Sequence, residues 1–256
     1  FIDVKCISTF HGTYNFRGYL KKLYNSVMLR MNGTIAISNF IHDHIKKNYS
    51  FKKNPIQTIE RGIDLNFFDP KSISKNDIKN AIKKYDLKED SIKILLPARV
   101  TEWKGHLTLV DAVSQLLEKK ILNIEVLFFG PDQNKLLKEK IKNSIRHKNL
   151  QHIIKFYGPS DKMNLIYALS DIVVSSSTDP EAFGRVSIEA QAMGKLIIAS
   201  AHGGSQETII EGKTGYLYSP KEPSELMKKI SSVIDQKKYC SNEMSSLAIE
   251  HIKSNY

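Results

Sequence analysis

Two glutamates stand eight positions apart in the stretch PEAFGRVSIEAQAMG, residues 180–194, around a Phe-Gly-Arg sequence. Glu181 lies in a predicted loop, where its carboxylate could reach a ligand. Glu189 is expected in the first turn or so of the helix that follows, where it could accept hydrogen bonds from vicinal hydroxyl groups, as acids do on a ribose in dinucleotide-binding folds. The helix dipole favours an acid there without any ligand, so an exposed helix acid is the alternative interpretation.

The same stretch carries features that suit an anion. Gly184 would let the backbone approach a ligand closely, and the N–H groups at the start of a helix can bind phosphate. Arg185 follows directly. Its guanidinium either adds a cation to a phosphate site or pairs with a surface acid.

Arg99 and Lys104 follow the predicted strand IKILLPA. Five residues apart across a turn, they could direct a guanidinium fork and an ammonium at one anion, and a diphosphate is the natural target. Glu102 lies between them. A solvated loop with an Arg–Glu surface pair therefore remains the alternative.

His11 ends the first predicted strand, in STFHGTYN. A lone histidine near the end of a strand is more often structural than catalytic. A His-Gly pair that faces a cleft is nevertheless a candidate for chemistry, so His11 enters the set of candidate residues with a structural alternative.

From residue 91 onward, short apolar runs alternate with segments of helical period, which predicts an α/β fold with a parallel sheet covered on both faces. Strands are predicted at 92–98, 123–130, 153–158 and 171–177 and in KLIIAS and GYLY; helices are predicted at 106–120 and 132–145, from Ser160 to about Leu169, and in RVSIEAQAMG and PSELMKKISSVI. Ligands of such sheets bind at the carboxyl ends of the strands. The glycine-bearing or charged loops LPARVTEWKGH, FFGPD, FYGPSD, SSSTDPEAFGR and ASAHGGS occupy those ends.

The chain divides into three parts in this interpretation. Residues 1–62 show the same pattern on a smaller scale, including a helix at roughly 17–31, and form a partial N-terminal domain. Residues 63–90 form an interdomain connection and a flanking helix, and residues 91–256 form the larger domain.

Composition narrows the function classes. The formal net charge is +11 and the pI about 9.4, but only six residues are arginine and no basic block is interleaved with aromatic residues, so nucleic acid is not an expected partner. The two cysteines have neither metal-ligand nor disulfide spacing, which favours a reducing, cytoplasmic location. No apolar run has the length needed to span a bilayer. The chain begins with Phe, so the native N-terminus is expected to be absent.

Several catalytic motifs are missing from the sequence. There is no P-loop, no Gly-x-Ser-x-Gly elbow, no Asp-x-Asp clamp and no His/Cys cluster with metal spacing. The pair Arg99 and Lys104 must then supply the charge neutralisation that Mg²⁺ supplies elsewhere, and neither a metal nor another cofactor is expected.

Taken together, these motifs resemble the retaining family-4 (group 1) glycosyltransferases of the GT-B fold. The resemblance is carried by the E-x7-E spacing of Glu181 and Glu189 with Phe183-Gly184 inside it, by PARVTEWKGH and by the connecting segment IERGIDLNFFDP. It implies two Rossmann-like domains, with a nearly complete donor-binding domain here, and sugar transfer from a nucleoside diphosphate donor with retention of the anomeric configuration.

The resemblance also implies residue roles. Arg99 and Lys104 would bind the donor diphosphate, Glu181 would contact the transferred sugar, and His11 would approach that sugar from the other domain. Glu189 would hold the ribose hydroxyl groups. The remaining donor-binding candidates are Phe183, Gly184, Arg185, Val186, Tyr157, Gly158 and Gly130, of which the Tyr157–Gly158 loop would border the nucleobase.

Departures from the family pattern limit this interpretation. The first domain has about 60 residues where relatives have far more, and the chain ends at LAIEHIKSNY. We therefore expect a fragment truncated at both ends. Arg61 stands where many relatives have Asn.

Two other function classes stay open, and so does the acceptor. The chain could bind a nucleotide sugar without transferring it, or it could be a GT-B epimerase or phosphorylase. The expected acceptor is a glycan or a lipid-linked group of the cell envelope. Residues 1–60 contain nine Lys/Arg against three acids, so contact with an anionic membrane is expected, with a solvated lysine-rich face as the alternative.

Overall fold

A computed structural model of the chain describes residues 4–14, 18–49 and 54–256, and these contain two parallel sheets. The small sheet consists of β1 (Ile7–Phe10), β2 (Gly33–Ala36) and β3 (Ile56–Thr58), in that order. Its helices are α1 (Tyr19–Ser26), which continues into a 3-10 turn over Val27–Arg30, and α2 (Asn39–Asn48). The predicted helix at 17–31 is thus shorter, and residues 15–17 lie outside the described residues.

The larger sheet has six strands, and all of them are parallel. They are β4 (Ile92–Pro97), β5 (Ile124–Phe129), β6 (Ile154–Tyr157), β7 (Ile172–Ser175), β8 (Leu196–Ser200) and β9 (Tyr216–Tyr218), in the order β6-β5-β4-β7-β8-β9. Strands are added to one side of β4 first and then, from β7, to the other. The gap between β4 and β7 is therefore the topological switch point, where open parallel sheets bind ligands.

Helices cover both faces of this sheet. They are α3 (Lys75–Lys84), α4 (His106–Glu118), α5 (Lys135–His147), α6 (Met163–Leu169), α7 (Arg185–Ala192), α8 (Ser205–Thr208), α9 (Pro223–Asp235) and α10 (Asn242–Asn255). Helix α4 packs beside α5 and α9, whereas α7 packs on α10 and α6 on α3. This arrangement confirms the predicted α/β fold with both faces of the sheet buried.

One hydrophobic core connects the two sheets. Phe10 and Ile41 from the small sheet and its helix are fully buried in the same cluster as Leu95, Val173 and Ile252 of the larger part. Because the interior is close-packed, the two sheets are held at a defined separation. Packing of this core therefore sets the width of the cleft between the two sheets.

Two predicted helix starts are wrong, and local hydrogen bonds give the reason. Helix α6 begins at Met163 after Lys162, because the Ser160 hydroxyl accepts the Lys162 N–H at 3.2 Å and closes a turn instead. Helix α5 begins at Lys135, because the side chain of Asn134 accepts the Leu137 N–H at 2.9 Å. Side chains that bind nearby backbone N–H groups decide such boundaries.

His106, the first residue of α4, is buried in the core against the ring of Phe128, 5.0 Å away and edge-on. Neither ring nitrogen has a hydrogen-bond partner among the described residues. Burial, with a smaller contribution from Lys104, lowers the pKa of His106 from 6.5 to about 4. The folded chain therefore holds this imidazole neutral.

The free energy of unfolding should consequently depend on pH through His106. Between pH 6.5 and about 4 the unfolded chain binds a proton that the folded chain does not, so acidification favours unfolding, by about 2 kcal/mol at pH 5. His106→Leu should remove this part of the pH dependence when urea unfolding is compared at pH 7.5 and pH 5. The exposed His147, replaced by Gln, serves as the control. Equal pH dependence in wild type and His106→Leu would contradict the assignment.

Candidate functional site

A cavity of about 560 Å³ opens between the two sheets, at the carboxyl ends of β1, β4 and β7. This volume lies within the range of roughly 300–1,000 Å³ that is typical of ligand sites. Seven of the residues predicted from the sequence line it: His11, Arg99, Lys104, Glu181, Phe183, Gly184 and Arg185. The structure thus brings the candidate cations and the loop acid to one place.

The loop after β4 reaches the cavity across the switch point. A 3-10 turn over Glu102–Lys104 precedes Gly105, which has φ +69°, and a Cβ there would lie 1.7 Å from the carbonyl oxygen of Ser176, beyond the end of β7. Only glycine permits this contact. The loop is thereby fixed against β7, with Arg99 and Lys104 on the cavity side.

Arg99 does not form the surface pair with Glu102 that the sequence left open. Its guanidinium is exposed, and within the described part of the chain it has no hydrogen bond or ion pair. A five-donor fork without a protein partner is available to an anion that enters the cavity.

Lys104 and Glu181 form an ion pair across the switch point. The Lys104 ammonium lies 2.6 Å from Glu181 Oε1, and the hydroxyl of Ser177 donates to the same oxygen at 2.5 Å. Both charged side chains are only 13% exposed. The ring of Trp103 lies under the Lys104 ammonium, 4.2 Å from it to the ring centroid, which adds a cation–π contact. These contacts fix the carboxylate and the ammonium side by side.

Helix α7 begins at the cavity. Gly184, directly before it, has φ +96°, and a Cβ there would lie 3.2 Å from the Cα of Ser205. Arg185 and Val186 are the first two helical residues, and their N–H groups have no carbonyl partner within the helix, whereas the Ser187 N–H already donates to the Gly184 carbonyl at 2.9 Å. Two backbone donors at the helix start are thus available to an anion. The ring of Phe183 is buried against Tyr256, with 5.7 Å between centroids, and Val186 packs on the same core.

Glu189 is placed differently from the sequence prediction. It is the fifth residue of α7 and lies in the second turn, because the helix begins only at Arg185. Its Oε2 accepts the Tyr167 hydroxyl at 2.8 Å and its Oε1 accepts the Arg185 guanidinium at 3.0 Å. Glu189 itself does not line the 560 Å³ cavity. Its partner Arg185 does line the cavity, so Glu189 contacts the site through Arg185. Burial and the nearby Glu189 raise the pKa of the Tyr167 hydroxyl well above its ordinary value.

A second cavity, of about 650 Å³, lies at the ends of β5 and β6. Tyr157 and Gly158 line it together with Pro159, Tyr85 and others. The Tyr157 hydroxyl donates to the Tyr85 carbonyl at 2.8 Å, and burial raises its pKa to about 12. The phenol is therefore already hydrogen-bonded, and its ring stacks on Phe129 with 4.7 Å between centroids.

Gly130, a predicted donor-binding residue, lines neither of these two cavities. A Cβ at this position would be 2.2 Å from the carbonyl oxygen of Ala98. Gly130 therefore lets the loop after β5 pack against the start of the Arg99 loop, which is a positioning role.

The small sheet supplies the opposite wall of the 560 Å³ cavity. This wall includes His11, Tyr14 and Arg61. The Tyr14 hydroxyl accepts the His11 N–H at 3.3 Å, and Tyr14 has φ +43°, an uncommon conformation for a bulky residue. The imidazole of His11 is exposed and faces the same cavity as Glu181.

Hydrogen bonds fasten the two walls together. The Ser38 hydroxyl donates to the Ala182 carbonyl at 2.6 Å. The carboxylate of Glu207 accepts the N–H groups of Asn39 and Phe40, at 2.8 and 2.6 Å, at the start of α2. An acid at the N-terminus of a helix is stabilised by unsatisfied N–H groups and the dipole. In this case the acid and the helix belong to opposite walls.

Sequence reasoning did not identify Trp103, Ser177, Tyr167 or Glu207. Trp103 and Ser177 stand in loops that were singled out, next to candidate residues, so proximity to those loops was an available signal. Tyr167 and Glu207 lie 22 and 167–168 positions from their partners, and no local pattern marks such contacts. Within the described ranges, no group of three or more His, Cys, Asp or Glu could hold a metal ion.

Fold and site together define an α/β protein with a candidate ligand cleft between two parallel sheets. The pattern described as "Glycosyl transferases group 1" matches residues 77–247, and that described as "Glycosyltransferase Family 4" matches residues 1–67. The chain therefore belongs to the group 1 glycosyltransferases, and the GT-B fold expected from the sequence is confirmed by its structural neighbours.

Three similar proteins illustrate the relationship. A glycosyltransferase from Rickettsia africae is 35% identical in sequence and superposes with a TM-score of 0.88. The match covers 98% of this chain and 66% of the Rickettsia chain. The Anabaena protein HepE, solved with UDP and glucose, is 22% identical with a TM-score of 0.84, covering 98% and 67%, which shows the fold alone. Spore coat protein SA of Bacillus subtilis is 28% identical over 78% of this chain and 55% of its own. The chain spans about half the length of the curated relatives it matches.

The link through Glu207 can be tested by Glu207→Ala. Two backbone N–H groups at the start of α2 would lose their acceptor, which should cost about 1–3 kcal/mol. Amide hydrogen exchange at Asn39 and Phe40 should accelerate, and the urea midpoint should fall. Glu118→Ala, at an exposed acid at the end of α4, is the matched control. Unchanged exchange at Asn39 and Phe40 would show that the link does not hold α2.

Proposed function

We propose that this chain is the donor-binding part of a retaining glycosyltransferase that moves a sugar from a nucleoside diphosphate to an acceptor hydroxyl group. The observation that supports this most directly is the cavity at the switch point, where Arg99, Lys104 and Arg185 lie around Glu181. Family membership supports transferase activity. Retention and the identity of donor and acceptor belong to the proposal.

The reaction separates charge, and the cavity suits that separation. The C–O bond between the anomeric carbon and the diphosphate breaks with its electron pair leaving on the phosphate oxygen. A new C–O bond forms to the acceptor hydroxyl, whose proton leaves with the diphosphate. Arg99, Lys104 and the first turn of α7 would stabilise the developing negative charge, and such electrostatic contributions are about 2.7–4 kcal/mol per donor in known enzymes. We propose that these cations serve instead of a bound metal.

Glu181 would lie beside the sugar, where positive charge develops. Its Oε1 already accepts hydrogen bonds from Lys104 and Ser177, which hold the carboxylate in place. We propose that Glu181 positions the sugar and stabilises its charge. His11 would approach the sugar from the opposite wall.

The rest of the donor would extend along the carboxyl edge of the sheet. Glu189 would accept the ribose hydroxyl groups once the diphosphate engages Arg185, and the base would occupy the cavity at Tyr157 and Gly158. The solved neighbour HepE binds UDP and UDP-glucose, so uridine is the first base to test. Binding without transfer and epimerisation are the alternatives, and separating a glycoside from an epimer among the products distinguishes them from transfer.

A thermal-shift panel of nucleotide sugars tests the donor site. UDP-glucose and related donors should raise the thermal unfolding midpoint of the chain, because a ligand that binds only the folded state stabilises it by mass action. Arg99→Ala and Lys104→Ala should each weaken donor binding about tenfold or more, because each removes a charge-assisted contact to the diphosphate. Arg146→Ala, at an exposed arginine of α5, should bind donor normally. A shift retained in full by both cavity variants would remove the site assignment.

We also propose that α1 docks on an anionic membrane at its cytoplasmic side. Leu20, Leu23, Tyr24 and Val27 follow helical spacing and are 78, 44, 80 and 42% exposed. Helix α1 has no buried residue, and Lys21 and Lys22 flank the apolar side chains. Exposed apolar area with adjacent lysines fits an anionic bilayer surface. None of the helices in the described part of the chain has the length and apolar character needed to cross a bilayer.

Sedimentation with vesicles tests this membrane contact. The chain should bind phosphatidylglycerol vesicles but not phosphatidylcholine vesicles, and high salt should weaken the binding. Replacing Lys21 and Lys22 by Gln should cost about 1 kcal/mol each, and Leu20→Ser with Tyr24→Ser should abolish binding. Leu136→Ser, at a leucine of α5 that is 86% exposed, is the control. Negligible binding to both vesicle types would end the idea.

A further inference from the structure

Arg61 is a charged residue of the cavity that the proposed donor site does not use. It lies in the connection after β3 and lines the 560 Å³ cavity with an exposed side chain. Among the wall residues that come from the small sheet and this connection, and that the structure describes, it is the one with a permanent charge. It makes no hydrogen bond or ion pair with any described residue. Burial, with a smaller contribution from the Glu207 charge, raises the pKa of the neighbouring Glu60.

The backbone that carries Arg61 is held in place on both sides. The Ile59 N–H donates to the Ala36 carbonyl at 2.9 Å, which extends the small sheet. Gly62 lies against the end of the chain, since a Cβ there would be 3.2 Å from the Tyr256 carbonyl oxygen, and Ile63 packs on the shared core. The anchored backbone fixes the point from which the Arg61 side chain extends, and the planar guanidinium is pre-organised for an oxyanion.

The opposite wall has its own cations. Lys104 pairs with Glu181 there, Arg185 pairs with Glu189, and Arg99 is available to a diphosphate. These three cations and the first turn of α7 lie together on that wall, so the proposed function assigns the donor diphosphate to them and not to Arg61. Arg61 is left for the molecule that enters against the small sheet, which is the acceptor.

We propose that Arg61 binds an oxyanion of the acceptor, so that the sugar is transferred to a hydroxyl-bearing molecule that carries a phosphate or carboxylate group. This inference rests on the proposed function, because the donor's position is what assigns Arg61 to the acceptor. A guanidinium matches both oxyanions with two parallel hydrogen bonds. The Tyr14 hydroxyl, which accepts the His11 N–H, keeps its own proton to donate to the same group.

The test uses the whole chain saturated with UDP, to which three small probes are added separately. The probes are glycerol 3-phosphate, glycerate and uncharged glycerol. Their binding is measured by calorimetry or by the shift of the thermal unfolding midpoint. One or both oxyanion probes should bind saturably, more weakly at high salt, and glycerol should not bind. The stronger response identifies phosphate or carboxylate as the preferred group.

Matched variants assign the response to Arg61. Arg61→Gln should weaken the oxyanion probe about tenfold or more while leaving the affinity for UDP unchanged. Arg61→Lys should retain part of the response, and Arg146→Gln all of it.

Three outcomes would overturn the inference while UDP binding persists. They are the lack of a saturable response to either oxyanion, a response equal in wild type and Arg61→Gln, and a tenfold loss of UDP affinity in Arg61→Gln, which would assign Arg61 to the donor. Failure of wild type to bind any nucleotide probe would instead refute the proposed function, and this inference with it.

Discussion

The ion pair between Lys104 and Glu181 is the contact on which the geometry of the site depends. It joins the loop after β4 to the loop after β7, the two strands that flank the switch point. Removing two charges from water is costly, and their attraction alone often fails to offset that cost. The Ser177 hydroxyl and the Trp103 ring add the further contacts that a largely buried pair requires. Ion pairs of this kind serve geometry more than stability.

The second constraint is the continuous core beneath the cleft. Phe10 and Ile41 on one side and Val173 and Ile252 on the other belong to one buried cluster. Ser38 and Glu207 then fix the rim of the cleft by hydrogen bonds. Because the core and the rim both fix the separation of the walls, His11 and Glu181 line one cavity although they are 170 positions apart in the chain.

The sequence was sufficient to predict much of this arrangement, and the reasons are physical. Strands such as IEVLFF are buried on both faces and read as unbroken apolar runs. Parallel strands also place their following loops at one edge, so Arg99, Lys104 and Glu181 could be grouped before any coordinates were known, whereas Glu189, which was grouped with them, does not line the 560 Å³ cavity. The division of the chain into domains at 62 and 90 and the roles of the site residues stay predictions.

What the sequence could not supply depends on distant or competing contacts. Helix α6 begins at Met163 and not at the predicted Ser160, because the Ser160 hydroxyl closes a turn with the Lys162 N–H. A serine side chain can either cap a helix or close such a turn, and the two local hydrogen bonds are of similar strength. The Lys104–Glu181 pair spans 77 positions, and the bonds from Glu207 to α2 span 167 and 168. No periodicity encodes such pairings, because they arise only when the sheet brings separate loops together.

Arg185 shows how the observed contacts bear on the proposed reaction. Its guanidinium reaches the cavity and also pairs with Glu189 one turn further along α7, while Tyr167 donates to the other oxygen of that carboxylate. Arg185 is 61% exposed at its side chain, so its pair with Glu189 contributes little to stability and is readily exchanged. A diphosphate at the start of α7 would compete for Arg185 and leave Glu189 Oε1 without its present partner, whereas Tyr167 would keep the carboxylate in position. Glu189 would then have more acceptor capacity for the ribose hydroxyl groups once the phosphates have bound, which would couple recognition of the two parts of the donor.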